Sequence, residues 1–311
     1  MLYLSTRNTT NTYTAYCALQ ESYAPDGGPY IPFHLQAFTS EELSELRAGT
    51  STDAVALILN RFFRLQLTGC DIESVIGRNG LRAEIMNHRL IMAQMWHNPA
   101  GTMDYFINKL YSLISGKDEN TAPSGWAYIA IEIALLFGFF TTLLEIPEDG
   151  VDIAVTAGDF ADIVAIVYAK EMGLPINIVV CACNENGFVW DLLNRGEVDF
   201  NAISVPVYLE YFIHKCIGDG YMQGYLQAVD DKSVYYIDEE KVNLLRESFY
   251  SAVVSAQRVD SIISGISNTN GYQIDPCAAL AYGALQDYRA NTGMSNITVV
   301  LTKERPSTAK G

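Results

Sequence analysis

The sequence has few basic residues for its size. Its 20 lysines and arginines are outnumbered by 36 aspartates and glutamates, which gives a net charge of -16 at pH 7. No cluster of lysine or arginine interrupts this acidic excess. Such a surface repels nucleic-acid phosphates and anionic lipid, so we expect no nucleic acid and no membrane among its partners.

Recognisable metal-binding patterns are also missing. The chain has only 4 histidines, and the spacing of its 6 cysteines fits no zinc motif, so we expect no metal. The cysteines are typical of reduced, mostly buried thiols in an intracellular protein. The N-terminus lacks a basic stretch followed by an apolar one, which argues against a secretory signal and favours a cytoplasmic location.

One long apolar run, residues 126–146, could be mistaken for a membrane span. It contains Glu132, and no lysine or arginine flanks it. A membrane helix needs roughly 20 predominantly apolar residues. We therefore predict a buried core helix in this run.

The pattern of apolar residues predicts an α/β protein. Residues 51–115 are expected to be helical, with Thr102 as the N-cap of the last helix. Strands at 152–155 and 176–180, separated by a helix at 160–172, predict a parallel βαβ unit. The remaining elements are expected to be helices at 188–194, from Asp238 past Ser255, and at 278–288, and a strand at 297–302.

Four segments resemble motifs of threonine synthase in the same order along the chain. Residues 3–8 and 24–32 are similar to the family's Y-x-S-T-R-G and A-P-D-G-G-L-Y-V-P, and residues 168–176 to its Y-A-K-K-M-G-L-P-I. Residues 184–186 resemble part of T-N-E-N-D, and residues 271–276 resemble the start of G-Y-x-x-D-P-H-T-A-V-G. The resemblance implies a parallel sheet flanked by helices, as in the large domain of type II pyridoxal phosphate (PLP) enzymes. The family's activity is the conversion of O-phosphohomoserine to threonine.

The family's small domain has little room in this chain. About ten residues join the helix ending near 114 to the next helix, fewer than the dozen or so that a parallel crossover needs. We predict a single threonine-synthase-like domain over 1–311 with most of the small domain deleted. Residues 51–123 would be a divergent helical region in its place, and residues 306–311 a loose tail.

The family's Schiff-base lysine has no counterpart here. The family reads W-H-G-P-T-x-A-F-K-D, and in residues 96–105 the lysine position is occupied by Asp104. A carboxylate cannot form an imine. Lys117 is a candidate for a displaced lysine, and His97 is interpreted either as a buried structural histidine or as an acid–base partner of Asp104.

The positions that would hold the cofactor are altered too. The family's P-T-G-N-F-G loop corresponds to residues 156–161, where Gly158, Asp159 and Phe160 would be vestigial cofactor contacts. Asp159 and Asp162 would repel a phosphate, and we interpret them as caps of the following helix. The remaining vestigial contacts implied by the resemblance are Asn184, Asn186 and Lys303. Lys303 takes the position near the pyridine nitrogen, and Cys277 replaces a family histidine.

These changes favour a threonine synthase-like protein without PLP-dependent activity, acting as a binding or partner protein. We expect no cofactor and leave open a small anionic ligand. Loss of the small domain would expose apolar surface, which predicts a homo-oligomer or a hetero-complex. The alternatives are an active PLP-dependent lyase with a displaced lysine, and a non-PLP enzyme that reuses the cleft.

Overall fold

The computed structural model describes residues 1–185 and 187–306. The chain divides into two compact units. The first comprises residues 1–83, 93–146 and 164–175, and the second comprises residues 84–92, 147–163 and the chain from 176 onward. The predicted tail lies outside the described residues, apart from Pro306.

Both halves of the described chain contain helices and strands. The first half contains β1 (Leu2–Ser5), β2 (Tyr13–Thr14), α1 (Ala15–Gln20), β3 (Tyr30–Pro32), α2 (Ser40–Ala48), α3 (Ser51–Phe63), α4 (Gly69–Ile76), β4 (Arg82–Asn87), β5 (Leu90–Gln94), α5 (Met103–Ser115) and α6 (Gly125–Phe140). The second half contains β6 (Val151–Thr156), α7 (Ala161–Glu171), β7 (Ile176–Cys183), α8 (Phe188–Arg195), β8 (Glu197–Asp199), α9 (Leu209–Phe212), α10 (Met222–Asp230), β9 (Val234–Tyr236), α11 (Glu239–Arg246), β10 (Phe249–Val253), α12 (Ala256–Asn270), α13 (Pro276–Thr292) and β11 (Thr298–Thr302).

The first unit is built around α6. Every residue of this helix except Tyr128 is buried, which confirms the predicted core helix. The Trp126 indole donates to the Tyr3 hydroxyl at 3.2 Å, and that hydroxyl donates to the Phe62 carbonyl at 3.0 Å. Apolar burial and satisfied polar groups thus coincide at the centre of the unit. Across residues 1–185 and 187–306, no helix has the length and apolar content to cross a membrane.

A six-stranded sheet organises the second unit, in the order β10-β7-β6-β11-β5-β4. Strand β6 pairs in parallel with β7 and with β11, and β10 pairs in parallel with β7. The predicted βαβ unit is therefore confirmed. Helix α13 packs against β6, β7, β10 and β11, and its Leu285 is fully buried with Ala154, Val180 and Val300.

Two helical predictions were wrong. Within 51–123, residues 82–87 and 90–94 form strands β4 and β5, which the sheet stabilises. The helix predicted from Asp238 past Ser255 is interrupted, because residues 249–253 form β10 and pair with residues 179–183 of β7. A new helix, α12, begins after Ser255, whose hydroxyl accepts a bond from the Arg258 amide.

Candidate functional site

The second unit contains a cleft at the carboxyl ends of β6 and β7. Its volume is about 760 Å³, and its lining includes Thr156, Gly158, Asn184 and Cys277. The predicted residues Gly158 and Asn184 therefore share one cavity, whereas Asn186 lies outside the described residues. The carboxyl edge of a parallel sheet is where α/β proteins bind their ligands.

Hydrogen bonds within the protein fix the loop between β6 and α7. The Ala157 amide donates to the Ala182 carbonyl at 2.9 Å, and the Ala161 amide donates to the Asp159 carboxylate at 3.0 Å. The Asp159 carbonyl accepts a bond from the Tyr208 amide at 3.1 Å. Amides at the start of a helix are the groups that bind a phosphate in such loops. Here a carboxylate of the protein already accepts a bond from one of them.

Phe160 fixes the shape of this loop. Its backbone has a φ of 73°, in the left-handed region that costs a non-glycine residue roughly 1–2 kcal/mol. The side chain is buried and lies against Phe188 and Phe212, with ring centroids 5.8 and 5.0 Å away. Aromatic burial of this size offsets the backbone strain. The packing of the Phe160 side chain thus fixes the position of the loop.

Lys303 and Asp162 form an ion pair. The Lys303 ammonium lies 2.9 and 3.1 Å from the two carboxylate oxygens of Asp162, which is 9% exposed. The carboxylate that we expected to help cap α7 instead neutralises the cation that we expected beside the cofactor ring. Little of the positive charge is left for a ligand of the cleft.

Asp275 and Cys277 open α13 beside the same cleft. The Asp275 carboxylate caps the helix by accepting from the Ala278 amide at 2.9 Å. Burial, followed by the charge of Glu304, raises the pKa of Asp275 to about 6. Burial, followed by the carboxylates of Asp275 and Glu304, also raises the pKa of Cys277. Its thiol is therefore protonated at neutral pH and is a poor nucleophile.

The first unit holds the residues aligned with the family's lysine segment. Asp104 is exposed in the first turn of α5, which Thr102 caps by accepting from the Tyr105 amide at 3.3 Å. His97 stacks on Trp96, and its Nε2 lies 2.7 Å from the Gln94 Oε1. In the part of the chain that the structure describes, no hydrogen bond or ion pair joins His97 to Asp104.

Lys117 also belongs to the first unit, just after α5. Its ammonium donates to the Gln20 carbonyl at 2.7 Å and to the Tyr111 hydroxyl at 2.9 Å. It lies 5.4 Å from the centre of the Tyr111 ring, a further favourable contact for a cation. The amine would have to leave both hydrogen bonds before its nitrogen could attack a carbonyl carbon and form an imine.

The contacts of the described residues do not fit PLP held by an imine and a phosphate cradle. The aligned lysine position carries Asp104, and Lys117 is engaged as a cation. The Ala161 amide and the Lys303 ammonium are bound to Asp159 and Asp162. No three His, Cys, Asp or Glu side chains within 1–185 and 187–306 are placed to hold a metal ion.

Known proteins similar in sequence are threonine synthases and their relatives. The family model described as threonine synthase N terminus matches residues 2–79. Threonine synthase-like 1 of Homo sapiens is 29% identical over 145 residues, which cover 42% of this chain and 20% of that protein. Threonine synthase of Pseudomonas aeruginosa is 22% identical over 186 residues, which cover 56% of this chain and 39% of the enzyme. The chain thus matches well under half the length of these relatives.

Solved structures extend the likeness to the whole chain. PLP-bound threonine synthase from Brucella melitensis superimposes with a TM-score of 0.86 and 17% identity, covering 99% of this chain and 89% of that one. The yeast enzyme superimposes with a TM-score of 0.78 and 16% identity, covering 98% and 87%. At this identity the likeness establishes the fold, and it confirms the predicted α/β architecture of the type II PLP enzymes.

Proposed function

We propose that this chain, which is threonine synthase-like in sequence and fold, is a binding or partner protein without PLP-dependent activity. The observation that carries the proposal is the bond from the Ala161 amide to the Asp159 carboxylate. A phosphate arriving at this loop would have to displace a tethered carboxylate and then lie beside its charge. A tethered group competes at a high effective concentration, and like charges in close contact repel each other.

The ion pair of Lys303 with Asp162 supports the same conclusion. A ligand that recruited the Lys303 ammonium would leave the nearly buried Asp162 carboxylate without its partner. Removing one partner of a buried pair costs up to about 3–5 kcal/mol, which few small ligands can offset. The cleft at β6 and β7 is therefore available to a ligand that needs neither the loop amide nor this cation.

The two enzymatic alternatives have less support. A PLP lyase with a displaced lysine would have to free Lys117 from the Gln20 carbonyl and the Tyr111 hydroxyl. A non-PLP enzyme using His97 and Asp104 would need those side chains to meet, and their described contacts do not join them.

We also propose that the protein is cytoplasmic and forms a homo-oligomer or a hetero-complex. Leu2 and Phe33 are neighbours on the first unit, where the Phe33 amide donates to the Leu2 carbonyl at 3.0 Å. Their side chains are 44% and 59% exposed, an unusual exposure for adjacent large apolar groups. Light scattering of the purified protein tests this expectation, and a monodisperse monomer would contradict it.

The proposal about the loop is tested by phosphate binding. We expect no measurable binding of inorganic phosphate by the native chain in isothermal titration calorimetry. Asp159→Asn removes the competing charge and should bind phosphate measurably. Asp149→Asn is the matched control, because it changes the net charge equally at an exposed turn before β6. Equal phosphate affinity of the native chain and Asp159→Asn would refute the proposal.

A further inference from the structure

A second pocket in the second unit adjoins the cleft and has different chemistry. It has a volume of about 510 Å³, within the range of pockets that hold small molecules. It shares Asn184, Cys277 and Leu280 with the cleft, and it is also lined by Ala256 and Pro276, the first residues of α12 and α13. The altered loop of residues 157–161 does not line it.

The floor of this pocket is apolar. Val254 and Val259 are nearly fully buried, and Leu280 is half-buried beside them. The apolar surface open to a ligand comes from the half-buried Leu280 and from the exposed Ala256 and Pro276, and covering it gains about 25 cal/mol for each square ångström. A ligand of this pocket should therefore have a hydrocarbon or aromatic body.

The charged groups that line the pocket are both acidic. Glu185 and Asp260 are exposed lining residues, and no lysine, arginine or histidine lines the pocket among the described residues. Arg258 lies two residues before Asp260, but its guanidinium is bound to the Asp287 carboxylate at 2.8 and 2.7 Å. Lys303 acts on the lining residue Cys277, but its ammonium is bound to the Asp162 carboxylate. Among the described residues that line the pocket, the two carboxylates thus have no cation beside them.

The two helix N-termini oppose this negative charge only in part. A helix N-terminus is equivalent to roughly +0.5 of a charge, so α12 and α13 together contribute about +1 against two full negative charges. Each N-terminus is also capped, by Ser255 in α12 and by Asp275 in α13. The local balance stays negative, and the net charge of -16 adds to it.

From the apolar floor and the acidic rim together, we propose that this pocket binds a small organic cation, an amine with an apolar body. The body covers Leu280, Ala256 and Pro276, and the ammonium group lies towards Glu185 and Asp260. This inference does not depend on the loss of PLP chemistry, because neither the loop nor the Lys303 ion pair takes part.

The test compares three probes that share one body and differ in charge: hexylamine, hexan-1-ol and hexanoate. Cys277 lines the pocket and Cys70 lies on α4, and both are exposed. The rate of alkylation by iodoacetamide is measured at each cysteine by mass spectrometry, with no PLP added. We expect hexylamine to slow the alkylation of Cys277 at lower concentration than hexan-1-ol, hexanoate to be weakest, and Cys70 to be unaffected.

Charge-removing variants test the role of the rim. Glu185→Gln and Asp260→Asn should each weaken protection by hexylamine about two- to five-fold, the usual range for exposed charge pairs, and leave protection by hexan-1-ol unchanged. Glu240→Gln, which removes an exposed charge on α11, is the matched control and should change nothing.

Several results would overturn the inference. They are equal or better protection by hexanoate or hexan-1-ol, equal slowing at Cys70, and full protection by hexylamine in the double variant of Glu185 and Asp260. Failure of the proposed function would appear separately, as phosphate binding by the native chain.

Discussion

The buried carboxyl of Asp275 should make the second unit less stable as the pH rises. Its pKa is raised to about 6 from the usual 3.8, with burial as the largest cause. Since the folded state binds this proton more tightly than the unfolded state, the contribution of Asp275 is most favourable below pH 4 and is lost as the pH rises through 6. At about 1.4 kcal/mol for each tenfold difference in proton affinity, the loss by pH 7 is about 3 kcal/mol.

Asp275→Asn is the informative variant. Asparagine caps a helix about as well as aspartate but carries no charge. We expect the variant to gain about 3 kcal/mol relative to the native chain between pH 4 and pH 7, because only the native chain pays the cost of ionising position 275. Urea unfolding at a series of pH values, followed by hydrogen exchange of the α13 amides, measures this difference.

A second N-cap aspartate supplies the control. Asp238 caps α11 by accepting from the Lys241 amide at 2.9 Å, but it is exposed, and its hydrogen bond from Tyr221, with further bonds from the backbone, lowers its pKa. Asp238→Asn should therefore lose stability relative to the native chain as the pH rises, the opposite sign. If Asp275→Asn and the native chain have parallel pH profiles, the reasoning from burial is wrong.

Two further predictions concern the first unit. Lys117→Met should destabilise this unit by about 2 kcal/mol, because two hydrogen bonds from a charged donor are lost and the Gln20 carbonyl loses a partner. Urea unfolding measures this loss of stability. A loss below about 0.5 kcal/mol, within the usual scatter of surface substitutions, would contradict the prediction. Gly125→Ala should cost more than 2 kcal/mol, since Gly125 has a φ of 60° and an added Cβ would lie 2.6 Å from the Ser22 carbonyl oxygen. Gly116→Ala is the control for the backbone effect alone and should cost about 1 kcal/mol, because Gly116 has a φ of 70° and an added Cβ would meet nothing within 4 Å. Equal losses of stability at both positions would show that the contact with Ser22 does not contribute.

The sequence predicts the elements whose signals are local. The βαβ unit at 152–180 is bounded by turn residues and consists of short apolar runs, and α5 has both helical spacing and a capping threonine. Strands β4 and β5 are harder to predict, because β4 has no buried residue and lacks an apolar run. Its available signal is Asn87, whose side chain accepts from the Arg89 amide in the turn between the strands.

Strand β10 could not be separated from α11 by the sequence alone. Only Glu247 and Ser248 separate it from α11, and no glycine or proline marks the boundary. The β-prone residues Phe249, Tyr250 and Val253 were the available evidence. Their pairing with β7 depends on residues about 70 positions away, which local periodicity does not report.

In the candidate site too, local features could be predicted from the sequence and contacts between distant residues could not. The capping role of Asp159 is local and could be inferred from the loop sequence, as its bond to Ala161 now illustrates. The pairing of Lys303 with Asp162 spans 141 positions and depends on contacts within the second unit between segments distant in sequence. Lys117 could be named from its type and spacing, but its bonds to Gln20 and Tyr111 could not.

Whether the chain can form an imine with PLP tests the central claim most directly. The purified protein is incubated with PLP, its visible absorption is recorded, and the mixture is reduced with borohydride and mapped by mass spectrometry. The account predicts no imine band and no lysine modified above the level of a urea-unfolded control. A visible imine band, together with a reduced adduct on a single lysine, Lys117 or any other, would contradict the account and identify the Schiff-base residue of an active PLP enzyme.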